Sequence, residues 1–195
     1  MRTVRNYVRE EDLKSSFLSC EKDAEEIIRK LLVDSRPYSD ELKRLLLINN
    51  KDCLDDRTNQ AYKDIIKQTS VADMIDEGYI RLKPQIKMEE NQEVMNYIVL
   101  SFDNITPTSN LHYRDCVVEI DILSHIEHWD IGNFRQRPIK IMGYIDGILN
   151  ECKLTGIGTL NFIGANEIVL SEELAGYCLM YRAVHGDDDL IPPEE

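Results

Sequence analysis

Between Arg114 and His185 the hydrophobic pattern switches from period two to a helical period and back, and that switch constrains the fold more than any other feature. Cys116, Val118, Ile120 and Ile122 share one side of an extended run, with Val117, Glu119 and Asp121 on the other. Successive side chains leave a pleat on opposite sides, so this run predicts a half-buried strand. Pro138 then opens a helix in which Ile141, Ile145, Ile148, Leu149 and Cys152 fall on one stripe. Leu160 and Phe162, and later Leu179, Tyr181 and Ala183, return to alternation. A strand, a helix and two returning strands can close a sheet with a helix on one face.

The preceding residues extend this plan. Ser19 is a candidate cap for a helix whose Ala24, Ile27, Ile28, Leu31 and Leu32 form a stripe, with acidic residues near its start. Ser39 opens a second helix with Leu42, Leu45 and Leu46 on one side, and a third runs from about Thr58 to Gln68. Ser70 with Asp73 has capping-box spacing, and Gly78 is the expected stop. A strand from Val94 to Phe102 is followed by a turn-rich stretch holding Asn104, Pro107 and Asn110, so this strand and the one at Arg114 make a hairpin with a long tip. The expected class is α+β: an antiparallel β-sheet with a helix packed on one face, preceded by a helical N-terminal segment. Residues 1–70 form that segment, 71–184 the α+β domain and 185–195 an acidic tail.

Charge narrows the function. The 36 acidic side chains outnumber the 23 basic ones, for a formal net charge of −13. Adhesion to a phosphate backbone comes from Lys and Arg displacing counterions, so loose nucleic-acid binding is disfavoured. The sequence contains no apolar run of about 18 residues, so no membrane span is expected, and the first residues do not read as a secretory signal. Cys20, Cys53, Cys116, Cys152 and Cys178 are odd in number and lack paired metal-ligand spacing. They read as reduced thiols in a cytoplasmic protein.

No motif for catalysis stands out. Glu119, Asp121, His125, His128 and Asp130 are the nearest approach to a divalent-metal site, and a metal-dependent nuclease would use Glu119, Asp121 and His125. No lysine accompanies the two carboxylates on their strand, and a structural role is the preferred reading. Gly156 and Gly158 follow a predicted helix, whereas phosphate loops precede one. Arg135, Arg137 and Lys140 form a basic patch around the Pro138 helix start. Cations are disfavoured there unless they meet acid, so the patch is expected to face an acidic partner, with Asp187, Asp188 and Asp189 of the tail as one source.

Taken in order, the helix, the hairpin, the strand Val118-Glu-Ile-Asp-Ile-Leu-Ser124, the helix from Pro138 to Asn150 and two closing strands resemble tail-terminator proteins. These are neck-ring proteins of tailed bacteriophages. The resemblance covers about Val71 to Val184 and rests on element order and on runs such as Gly143-Tyr-Ile-Asp-Gly-Ile-Leu149. It implies a non-enzymatic virion protein without cofactor or metal, made in the host cytoplasm. Such a protein forms a homo-oligomeric ring between the portal or connector and the tail proteins, with DNA passing through its lumen. Arg135, Arg137, Lys140, Asp187, Asp188, Asp189, Asn104, Pro107 and Asn110 are the expected contacts with subunits or partners. A tail-completion or tail-tube protein of the same fold is the alternative.

Overall fold

The computed structural model describes residues 20–82, 95–107, 114–154 and 158–184. Ser19, Asn110, Gly156 and Asp187 to Asp189 lie outside them. Four helices come first: α1 (Cys20–Arg29, continued by a π-helical turn over Lys30–Asp34), α2 (Tyr38–Leu47), α3 (Gln60–Gln68) and α4 (Val71–Asp76). Strands β1 (Ile80–Arg81), β2 (Asn96–Pro107) and β3 (Arg114–His125) follow, then α5 (Arg137–Leu149), β4 (Cys152–Leu154), β5 (Gly158–Val169) and β6 (Leu174–Val184). The strands form one sheet in the order β1-β2-β3-β6-β5-β4, antiparallel throughout except for the β1–β2 pair. The expected α+β class is the one observed.

Local signals set several boundaries. The Ser70 hydroxyl accepts from Asp73 N at 3.1 Å while Asp73 accepts from Ser70 N at 2.8 Å, a complete capping box. Gly78 follows α4 with φ +83°, a conformation that glycine adopts without steric cost. Other boundaries move. α2 begins one residue before Ser39, whose hydroxyl instead accepts from Ser35 N. β2 runs through Asn104 to Pro107, so the stretch expected as turn is strand as far as Pro107. Cys152 is not on the α5 stripe. The helix ends at Leu149, Glu151 takes φ +59°, and Cys152 starts β4, so Gly158 opens the second strand of a hairpin.

The two faces of the sheet have different fates. Ile98 and Leu100 of β2, Val118, Ile120 and Ile122 of β3, Leu179 and Tyr181 of β6 and Leu160 of β5 are buried in one cluster with the apolar stripes of α1, α2 and α5. Helices on both sides of residue 70 therefore share one core. Each such side chain contributes roughly 1.5–3 kcal/mol when fully buried. On the opposite face a smaller cluster gathers Tyr97, Val99, Leu123 and Leu174. The Tyr181 hydroxyl donates to Asp146 at 3.2 Å and pins α5 to β6.

Arg137 lies inside this core, and that corrects the surface role expected for it. Its side chain is fully buried. Nη1 donates to the carbonyls of Leu45 (2.6 Å) and Ile48 (2.8 Å), Nη2 to those of Asn49 (3.1 Å) and Asn50 (3.2 Å), and Nε to that of His128 (2.8 Å). A guanidinium has five N–H donors in a fixed fork, and all five find backbone acceptors here. Four of those acceptors lie at the end of α2, where carbonyls lack helical partners and the helix dipole favours a cation.

Two substitutions test this packing. Arg137→Met leaves five carbonyls short of a donor and should lower unfolding free energy by about 3 kcal/mol or more in urea titration, with Arg137→Lys losing less. Gly176 of β6 backs directly onto β3, where a Cβ would fall on the carbonyl of Ile122. Gly176→Ala should therefore cost on the order of 1–3 kcal/mol, read from the same titration.

Candidate functional site

The sequence pointed to two groups of residues, one acidic and one basic, and the fold separates the members of each. Glu119 and Asp121 lie on the face of β3 opposite the main core, paired across to Met180 and Cys178 of β6 and to Ser101 and Val99 of β2. Burial raises the Glu119 carboxyl above its ordinary range, helped by the charges of Asp103 and Asp121. Burial likewise raises Asp121, while a hydrogen bond with the Cys178 thiol pulls it the other way. Burial and the Asp121 carboxylate push the Cys178 thiol up to about 12, so it is not a thiolate nucleophile near neutral pH.

His125, His128 and Asp130 do not join the carboxylates. His125 stands four residue steps along β3 from Asp121, roughly 13 Å, too far to share one ion. His125 Nδ1 accepts from Glu127 N at 3.3 Å, and Asp130 accepts from Gly132 N at 2.9 Å and pairs with Lys51 at 3.1 Å. Among the described residues no three His, Cys, Asp or Glu side chains gather as a metal site.

The basic patch divides in three. Arg137 is internal. Arg135 is mostly covered: it bonds to Asp55 and donates to the carbonyls of Gly132 (3.2 Å) and Ile131 (3.2 Å). The bond from Arg135 holds the Asp55 carboxyl below its usual range. Lys140 is exposed. It lines a surface groove of about 360 Å³ with Tyr38, Gly143, Tyr144 and Gly147. The Tyr38 and Tyr144 rings lie 6.3 Å apart, and a Cβ at Gly143 or Gly147 would touch nothing within 4 Å. The sequence signal for this groove was the pair of glycines four apart beside Tyr144. Tyr38 comes from the start of α2, about a hundred residues away, so spacing along the chain does not bring it to this groove. Asn104 sits in β2 with φ +48°, exposed beside Asp103, and Pro107 ends that strand opposite Arg114.

The raised carboxylates carry a sign. A carboxyl whose folded pKa exceeds its unfolded value destabilises the fold once it ionises, so stability falls as pH rises through that interval. Asp121→Asn should therefore raise the thermal midpoint at pH 7, and the gain should vanish at a pH low enough to protonate the wild-type group. Thermal melts followed by circular dichroism at the two pH values check this.

No helix among the described residues is long and apolar enough to cross a membrane. No curated protein and no solved structure matches the chain. One family model, YomW, matches residues 39–183, from the first turn of α2 almost to the end of β6.

Proposed function

The chain belongs to the YomW family, which is phage-associated, and from that premise we propose that it is a structural virion protein of the neck, forming a ring that joins the head to the tail. The observation that carries the reading is the two-sided sheet. Helices collect on one face, and the other carries the half-buried carboxyl groups of Glu119 and Asp121 on the central strand β3 and the exposed one of Asp103 at the register break of β2. In a ring with that second face turned inward, the acidic lining would repel a passing duplex and let it slide without adhesion. The order of hairpin, helix and closing strands agrees with the order expected of a tail terminator. A net charge of −13 supports the same reading, since little of the surface would hold a phosphate backbone.

Ring closure needs a heterologous contact, one patch of a subunit against a different patch of the next. Lys140 and the tyrosine-lined groove supply a patch of the right chemistry for an acidic segment. Asp187 to Asp189 of a neighbouring subunit are the acids of this chain best suited to it. Portal or connector and tail proteins would meet the ring above and below.

Native mass spectrometry with negative-stain imaging tests the proposal. A closed particle with a central hole is expected for the wild-type chain, and Lys140→Glu should shift it toward smaller species by at least tenfold in concentration. Charge reversal at Arg137 is not a usable test of the contact, because it removes an internal clamp. A wild-type protein that stays monomeric at the highest soluble concentration would overturn the ring.

A further inference from the structure

β5 extends beyond the helical layer. Its first residues, Gly158–Leu160, are flanked by β4 on one side and β6 on the other. From Asn161 to Val169 its only described strand neighbour is β6. On the outer edge the Phe162 amide donates to the Asn150 side chain at 3.1 Å, so the stretch without a described strand or side-chain cap begins at Ile163. Phe162, Ile163, Val169 and the following Leu170 are 41%, 45%, 67% and 41% exposed. Edges that must stay single are blunted with lysine, proline or several charges. Asn161–Val169 has no lysine or proline, and its one charge is Glu167.

The opposite edge of the sheet is built differently. β1 covers only Ile98 and Val99 of β2. Beyond them β2 carries Asp103 and a register break, with Asn104 at φ +48°. Charge and irregular backbone blunt that edge. β5 has a break of its own at Ile163, close to the end that β4 covers, and regular pairing with β6 resumes from Gly164.

We propose that the outer edge of β5 is an interface for a second copy of this chain, strand against identical strand, in antiparallel two-fold pairing centred on Gly164 or Ala165. The strand is self-complementary about that centre. Glu167 falls opposite Asn161 or Ile163, so like charges never meet, and Phe162 falls opposite Asn166 or Ile168. The open stretch from Ile163 to Val169 is about 20 Å long, and β4 with the Asn150 side chain limits the pairing at each end. Main-chain bonds supply affinity and the alternating apolar side chains supply register. A single short strand pair is a small interface, so dissociation on the order of micromolar is expected. This contact is isologous and differs from the heterologous one that closes a ring, so it goes beyond the ring reading: it would pair two rings or, without a ring, two chains.

Sedimentation velocity across the micromolar range, on the full chain and on the double variant Ile163→Lys, Val169→Lys, tests it. Circular dichroism confirms folding, and Val169→Lys alone serves if the double variant does not fold. The expected result is a wild-type particle with an even copy number whose mass halves in the folded variant. A wild-type dimer that becomes a monomer supports β5 pairing and overturns the ring. A wild-type ring whose mass the variant leaves unchanged overturns β5 pairing and leaves the ring standing. A wild-type monomer throughout overturns both. Gly164→Cys and Ala165→Cys fix the register: under mild oxidation the variant on the two-fold axis should form a disulfide-linked dimer that wild type does not. No dimer from either would overturn the two-fold geometry.

Discussion

One buried cation ties the helical third of the chain to the sheet. Arg137 begins α5, and its guanidinium closes the end of α2 by donating to the carbonyls of Leu45, Ile48, Asn49 and Asn50, with His128 taking the fifth bond. A buried charge is expensive unless every donor is satisfied, and here the acceptors are carbonyls that a helix end leaves open. The interaction joins residues nearly ninety positions apart. It sets α2 against α5, and α5 in turn covers β3, β5 and β6. Asn96 reinforces the junction by donating to Asn49 at 2.9 Å, so the first residue of β2 is fastened to the same turn.

With the helices held on one face, the sheet divides chemically. The covered face is apolar from β2 to β5. The other keeps Glu119 and Asp121 beside Cys178 in a setting that favours their neutral forms. Of β5, only Leu160 joins the core that the described helices cover, while the strand continues to Val169.

Much of the fold was legible along the chain. Alternation from Cys116 to Ile122 and from Leu179 to Ala183 marked strands because the pleat has period two, and the isoleucines after Pro138 marked a helix because their spacing matches its turn. Ser70 with Asp73 marked a helix start through hydrogen bonds that are local in sequence. Less was legible at boundaries. Cys152 kept the helical spacing of α5 yet lies in β4, because Glu151 adopts a left-handed backbone that no periodicity reports. Asn104 and Pro107 looked like turn residues, but pairing with β3 carried the strand past them.

The candidate site divides along the same line. The sequence by itself determined the α+β class, the strong acidity, the placing of Glu119 and Asp121 on one side of a strand, and the Gly143 and Gly147 spacing on a helix, because each follows from composition or from neighbours a few residues apart. Only the tertiary structure decided that Arg137 is an internal clamp while Lys140 is exposed, that Tyr38 reaches Tyr144, and that no described strand covers β5 beyond Leu160. Those outcomes depend on which distant groups meet, and a buried charge and a surface charge look alike until the carbonyls that would satisfy one of them are in place.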